Sequence, residues 1–337
     1  MAWTAPQFSK SEVDKAGAAL VTNNVFGTDF QIVDNWRSSH NYPLNFFQND
    51  LRKRAKAIDC DCIVAQRIKR LSSITEKLKR FSTARLSQIQ DIGGCRAVMY
   101  DIGQVQQLAD NYRNSGFKSD LHNEKDYIKA PKPDGYRGIH LVYKYAAQKP
   151  EYHGLKIEIQ LRSAKQHAWA TAVETVGLFT RQALKSNRGY WEWRRFFASM
   201  GTAIAYMENS SAVPNTATYG NGLQLLLKDY MISLDVANQL RTYEKALLEL
   251  PSYQKRGDHY FLLILDPLSK QLEVFGYKQS QLQLASKDYL AMEKSIRGSD
   301  KNAVLVSADS TVELRKAYPN YFLDTTAFLD LIDDALS

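Results

Sequence analysis

Residues 126–162 read DYIKAPKPDGYRGIHLVYKYAAQKPEYHGLKIEIQLR. A loop punctuated by Pro131, Pro133 and Gly135, and carrying Lys129 and Lys132, leads into two alternating segments, Gly138–Tyr145 and Leu155–Arg162. Alternation makes both of them strands. In the second, Ile157, Ile159 and Leu161 share one face, and Glu158, Gln160 and Arg162 share the other. Burying the aliphatic face therefore projects a carboxylate, an amide and a guanidinium together. That trio either is a solvated strand face or holds a metal ion and a phosphate-bearing ligand.

The segments around it decide between these readings. Upstream, Ile63–Lys69 has the length of a strand, and Ser73-Ile74-Thr75-Glu76 has the pattern of a capping box that starts a helix through about Arg80. Arg67, Lys69, Ser73 and Lys77 then surround a strand-to-helix turn, where the first helical amides lack partners and collect phosphate. The alternative is an exposed basic helix. Next, Asp91 sits at a turn containing Gly93 and Gly94 that enters an apolar strand, with Arg96 near its start. Asp91 is either a turn aspartate bonded locally or a ligand-facing carboxylate. Ile102–Asn114 reads as a crossover helix, and Ser163–Leu178 as a helix bearing His167 and Trp169. Strand, crossover helix, two strands and a helix predict an α+β fold, a mixed β-sheet flanked by helices. Such a topology can bring Asp91 and Glu158 side by side. Two carboxylates with substrate phosphates are the environment that Mg2+ prefers.

Composition limits the partners. With 44% hydrophobic and 24% charged residues, the chain has the make-up of an ordinary globular protein. No apolar run approaches the roughly 18 residues of a membrane span. The N-terminus lacks a charged stretch followed by an apolar one, and Cys60, Cys62 and Cys95 form no paired framework, so the expected location is the cytoplasm. The net charge of +8 is uneven: Leu51–Gln90 holds 11 Lys/Arg against 3 Asp/Glu, whereas Pro251–Ser337 holds 10 against 12. A basic field concentrated beside the motifs suits polyphosphate or nucleic acid.

RIK…SITEK (Arg67 to Lys77), DIGGCR (Asp91 to Arg96), DYIKAPKPDGYRGIH (Asp126 to His140) and EIQLRSAKQHAWA (Glu158 to Ala170) together resemble the synthetase domain of the RelA/SpoT family. The resemblance covers roughly residues 45–180. It implies transfer of the β,γ-pyrophosphate of ATP to a ribose hydroxyl. By the same resemblance Asp91 and Glu158 hold Mg2+, with Glu158 also a base for the acceptor hydroxyl. Arg67, Lys69, Ser73, Lys77 and Arg96 bind ATP. Tyr136 stacks on the acceptor base, with Lys132, His140, Gln160 and His167 around it. Gly138 and Asp134 stand where the family usually has Ser and Asn, so a guanosine nucleotide is not the implied acceptor by default. With no hydrolase half before it, the chain reads as a short, synthetase-only member.

Further on, Tyr190–Met207 and Leu223–Leu250 read as long helices, His259–Leu265 and Gln271–Tyr277 as a hairpin, and Ala303–Val306 as another strand. This half has one histidine, His259, and no cysteine, so it holds no zinc-finger metal. Tyr318-Pro319-Asn320-Tyr321 and an amphipathic Phe328–Leu336 close the chain. The layout resembles fused toxin–antitoxin proteins of the CapRel type. It implies a synthetase (toxin) domain over 1–185, a helical connector over 186–252 and a pseudo-zinc-finger regulatory domain over 253–337. In such proteins the two tyrosines block the ATP site until a phage capsid protein binds, and the toxic relatives pyrophosphorylate the 3′ CCA end of tRNA. Core packing of a small domain is the plainer reading of Tyr318 and Tyr321. A small alarmone synthetase making ppGpp or ppApp and a non-catalytic RNA-binding protein are the competing functions.

Overall fold

The computed structural model describes residues 3–22, 26–114, 119–183, 190–218, 220–245, 258–308 and 310–337. Helices α1 (Lys10–Thr22), α2 (Gly27–Ser39) and α3 (Asn41–Ile58) precede strand β1 (Ile63–Ile68), α4 (Leu71–Arg80), β2 (Gly93–Met99) and α5 (Ile102–Arg113). Strands β3 (Asp120–Asp126), β4 (Ile139–Lys144) and β5 (Lys156–Ser163) follow, then α6 (Ala164–Ala183). The architecture is α+β, with a mixed sheet flanked by helices. Strands β2 and β5 run parallel and the remaining neighbours antiparallel. Ile157, Ile159 and Leu161 of β5, with Cys95 and Ala97 of β2, turn inward onto α3 and α5. Removing each such aliphatic side chain from water contributes about 1.5–3 kcal/mol. Their alternates are thereby forced to the opposite face.

The C-terminal half adds α7 (Tyr190–Met207), α8 (Asn221–Ser233), α9 (Val236–Lys245), β6 (Asp258–Asp266), β7 (Gln271–Lys278), α10 (Leu282–Ser295), β8 (Asn302–Ser307), α11 (Thr311–Ala317) and α12 (Thr326–Leu336). Its three strands extend the first sheet into one of eight strands, in the order β3-β4-β5-β2-β1-β8-β6-β7. The seam is short. β1 pairs with β8 through Gln66–Ser307 and Arg67–Val306 alone, against six residue pairs between β1 and β2. Buried polar ties reinforce it. The Gln48 amide donates to the Ser307 hydroxyl at 2.9 Å, and Arg70 donates to the Asn302 side chain at 2.7 Å. Helix α10 covers one face of the added strands, and α11 with the 319–321 turn covers the other. Helix α12 returns to the helical layer, where Phe328, Leu331 and Ile332 bury among α6, α7 and α8.

Three sequence expectations are corrected. Ser73 does not cap α4, which begins at Leu71. Its first amide, Leu71 N, donates instead to Glu293 of α10 at 2.8 Å, a cap supplied from 222 residues away. The helix expected over Leu223–Leu250 breaks after Ser233, where Asp235 takes a φ of 48°, and residues 246–250 lie outside the described residues. Strand β3 (DLHNEKD) has no apolar alternation to announce it, because it is an edge strand with largely exposed residues.

Candidate active site

Glu158 and Gln160 of β5 stand opposite Gly94 and Arg96 of β2, and opposite Val142 and His140 of β4. Arg67 of β1 stands opposite Gly94. Alternation therefore puts Arg67, Arg96, Glu158, Gln160, Arg162 and His140 on one face of the sheet. A cleft of about 300 Å³ opens there, lined by Asp91, Glu158, Lys77, Lys132, Tyr136, His140, Gln160 and Arg162, among others. Asp91 and Glu158 both line this one cleft.

Asp91 is gripped by two ammonium groups, Lys69 Nζ at 2.7 Å and Lys77 Nζ at 2.9 Å. Burial works against its ionisation, but the two lysines outweigh it and bring its pKa down to about 2. Glu158 accepts from Gln160 Nε2 at 2.6 Å, and its other oxygen lies 2.9 Å from His140 Nδ1. Its pKa is also lowered: burial and the Asp91 charge push it up, and the bond and charge of His140 prevail. The Tyr136 hydroxyl lies 2.5 Å from His140 Nε2 and accepts from Arg162 at 2.9 Å. Glu158, His140, Tyr136 and Arg162 thus form one continuous hydrogen-bonded chain. Lys132 Nζ sits 4.4 Å from the Tyr127 ring centre and 4.8 Å from that of Tyr136, which makes a cationic, aromatic wall.

A second cluster lies beside the cleft. Arg67, Arg96 and Arg162 bring three guanidinium groups onto neighbouring strands with no carboxylate bonded to any of them among the described contacts. The Arg96 Nε and the Arg162 Nε and Nη1 are buried without a partner. Burial, then the charges of Arg162 and Arg67, brings the Arg96 pKa down to about 10. Orphaned buried donors of this kind are costly unless an anion completes them. Tyr318 of the C-terminal segment lies near Arg96 and Arg67, whereas Arg162 lines the cleft. Tyr318 and Tyr321 are both 4% exposed, and the Tyr318 hydroxyl donates to the Gln66 carbonyl at 2.7 Å.

Of the residues singled out from sequence, Asp91, Glu158, Lys77, Lys132, Tyr136, His140 and Gln160 line the cleft, and Lys69 joins it through Asp91. Arg67 and Arg96 lie under the tyrosines instead. Ser73 sits on the first turn of α4 and lines no part of the cleft. His167 is not at the acceptor side. It is buried under α11, its Nε2 donating to the Lys316 carbonyl at 3.1 Å, and its pKa is lowered to about 3 by burial and the charges of Arg96 and Arg162. Tyr136 does not offer a free ring, since its hydroxyl is tied down and Arg162 lies 5.0 Å from its ring centre. Sequence reasoning misses Tyr127, whose place in the cleft follows only from the turn that brings Tyr127 N to the Gly138 carbonyl.

The donor set suits Mg2+: both carboxylates are hard oxygen donors, both are kept ionised, and both face one cleft. Gly138 has a φ of +145°, and a Cβ there would lie 3.1 Å from the Leu161 carbonyl oxygen. The local backbone therefore disfavours a serine at this position.

Residues 66–178 match the model of the region found in RelA / SpoT proteins. GTP pyrophosphokinase YjbM of Bacillus subtilis (strain 168) is 34% identical over 113 residues, which is 32% of this chain and 52% of that protein. GTP pyrophosphokinase YwaC of the same strain is 32% identical over 115 residues, 31% of this chain and 52% of that protein. The chain thus spans about half the length of the curated relatives it matches. Among solved structures, the small alarmone synthetase 1 from Bacillus subtilis bound to its product pppGpp is 23% identical, with a TM-score of 0.41 over 50% of this chain and 90% of that one. No helix among the described residues is long and apolar enough to cross a membrane.

Proposed function

We propose that the protein is an ATP-dependent pyrophosphotransferase held inactive by its own C-terminal segment. One observation carries this reading: Asp91 and Glu158, 67 residues apart in sequence, face a single cleft flanked by lysines and by uncompensated arginines. Phosphoryl-type transfer is mostly positioning and charge neutralisation, and this is the equipment for it. The ATP phosphates go to Arg67, Arg96, Lys69 and Lys77. Asp91 and Glu158 would hold Mg2+, which when bound neutralises charge on the transferred phosphates. The acceptor ribose oxygen attacks the β-phosphorus, the bond from that phosphorus to the α-phosphate oxygen breaks, and AMP leaves. Glu158, oriented by His140 and Gln160, takes the hydroxyl proton.

Residues 253–337 act as the regulator. Tyr318 and Tyr321 lie over the arginines that the triphosphate needs, and tethering keeps a weak lid closed at high effective concentration until a tight-binding partner removes it. We take that partner to be a phage capsid-type protein, which makes the protein a cytoplasmic anti-phage toxin with a built-in inhibitor. The acceptor we favour is the 3′ CCA end of tRNA, whose backbone the basic 51–90 segment would hold. A second reading, synthesis of a ppGpp- or ppApp-type alarmone, is favoured by the relatives named GTP pyrophosphokinases. ATP labelled in its β,γ-phosphates, offered with tRNA, GTP or ATP to the Tyr318→Ala/Tyr321→Ala variant, separates them. Label on tRNA supports the toxin. Label on nucleotide alone overturns it in favour of an alarmone synthetase.

A further inference from the structure

The loop that carries Tyr136 is clamped from below by a helix outside the RelA/SpoT-type region. Arg137 and Glu208 form an ion pair at 3.0 Å, with side chains 2% and 4% exposed. Glu208 lies just past the end of α7. Its carboxylate also accepts from the Ser163 hydroxyl and, at 3.1 Å, from the Gln166 amide, both at the junction of β5 and α6. Arg137 reaches the Ser210 hydroxyl as well. One buried carboxylate thus joins the loop, the end of β5 and α7.

Backbone contact reinforces the clamp. Gly135 has a φ of +98°, and a Cβ there would come within 2.8 Å of the Phe197 carbonyl oxygen and 3.1 Å of the Ala198 Cα. A Cβ on Gly201, one α7 turn further, would meet the Gly135 backbone at 3.0 Å. The Trp169 indole donates to the same Phe197 carbonyl at 2.9 Å. Only glycine allows this approach. Within the loop, Gly135 N donates to the Lys132 carbonyl at 2.9 Å and Lys132 N to that of Tyr136 at 3.2 Å, so the loop moves as one piece.

We infer that Glu208 is a positioning residue for the acceptor side: through Arg137 it fixes the loop so that Tyr136 meets His140 and Arg162, and Lys132 stands over the cleft. The inference rests on the pyrophosphotransferase reading for what the loop binds, but not for the clamp itself. It assigns α7 to the acceptor site rather than to the regulator. Burying both charges is costly before pairing, and the three partners of the Glu208 carboxylate, Arg137, Ser163 and Gln166, offset that cost at one loop position. A loop displaced by about 1 Å costs a transfer reaction about a hundredfold.

The experiment uses the full chain with Glu208→Gln, which keeps the shape and removes the charge. Peptide-resolved amide exchange is compared over 126–138 and 66–80, and transfer kinetics are measured on the Tyr318→Ala/Tyr321→Ala background. The expected result is exchange faster by about tenfold in 126–138 and unchanged in 66–80. The acceptor KM rises about tenfold while the ATP KM stays within about twofold. Should Glu208→Gln fail to fold, Ser210→Ala, which removes the second partner of Arg137 together with a local bond to the Ala205 carbonyl, must show the same selective pattern at about two- to threefold. Exchange unchanged in the loop, exchange raised equally in both segments, or a loss shared by both KM values would overturn the inference. If no acceptor is labelled even by the unsubstituted background, the pyrophosphotransferase reading fails, and the exchange data alone still decide the clamp.

Discussion

The Tyr318 hydroxyl donates to the carbonyl of Gln66 at 2.7 Å, one residue before Arg67 and 252 positions away in the chain. The bond ties the C-terminal turn to β1, the strand that carries Arg67. Burial raises the pKa of Tyr318 although Arg96 and Arg67 pull it the other way, so the group stays a neutral donor.

Tyr318→Phe removes one hydrogen bond, a loss of about 1 kcal/mol, and should raise basal transfer only a few-fold. Tyr318→Ala with Tyr321→Ala empties two ring sites, at about 3–5 kcal/mol each, and should free the enzyme without any trigger. Labelled transfer and growth arrest on expression read both. A double variant as quiet as the parent would refute inhibition by these tyrosines.

Asp91→Asn and Glu158→Gln should each lower transfer by at least about a hundredfold in the released background. Toxicity should disappear with them. A non-catalytic RNA-binding protein predicts that toxicity persists, so expression of the variants separates the two classes. Asp91→Asn also leaves Lys69 and Lys77 without their shared carboxylate, and ATP binding should then become more sensitive to salt.

Glu293 of α10 pairs with Arg37 at 2.7 Å while capping α4 through Leu71 N. Arg37 in turn donates to the Lys69 carbonyl at 2.9 Å. Glu293→Ala should destabilise the protein by about 3–5 kcal/mol by stranding a buried guanidinium, which denaturant unfolding measures. Arg37→Met with Glu293→Met should recover much of that loss. If the single variant is neutral, the network is not what fastens α10 to the donor-site turn.

Two buried histidines make stability depend on pH. His40 is lowered to about 4 by burial, and His167 to about 3 by burial and neighbouring arginines. Both folded values lie below the unfolded value of about 6.5, so the unfolded chain takes up protons first as the pH falls. Their contribution is complete above about pH 6.5 and is lost progressively toward pH 4 and below, at up to about 1.4 kcal/mol per pH unit for each. Asp91 acts in the same direction but only below about pH 4, since its folded value is about 2. Unfolding free energies at pH 7.5 and pH 5 should differ by more than 1 kcal/mol, roughly twice as much as in His167→Gln. A flat profile would contradict the buried, neutral state of these rings.

How much of this was legible beforehand depends on where each signal resides. The Ile157–Ile159–Leu161 alternation is local, so the strand and the outward Glu158–Gln160–Arg162 face could be read directly. That Asp91 and Glu158 line one cleft depends on the parallel pairing of β2 with β5, which no local periodicity specifies. The burial of His167 is not legible locally, since its partner is the Lys316 carbonyl, 149 residues downstream. The α4 start is hidden for the same reason, because its cap comes from Glu293 rather than from the neighbouring Ser73. The hairpin strands are legible from their own alternation, but not the sheet they join. Pairing of β1 with β8 depends on an edge strand whose partner the periodicity does not specify.

The two-residue seam also sets a timetable. Arg67 leaves the ribosome 251 residues before Tyr318, and at about 5–20 residues per second that interval is roughly 10–50 s. Throughout it the N-terminal strands can pair among themselves, while the β1 edge with Arg67 stands bare and α4 lacks its Glu293 cap. A newborn chain therefore passes through a stage in which the strand edge bearing Arg67 exists before its cover has been synthesised, and translation slowed between codons 67 and 318 would lengthen that exposure.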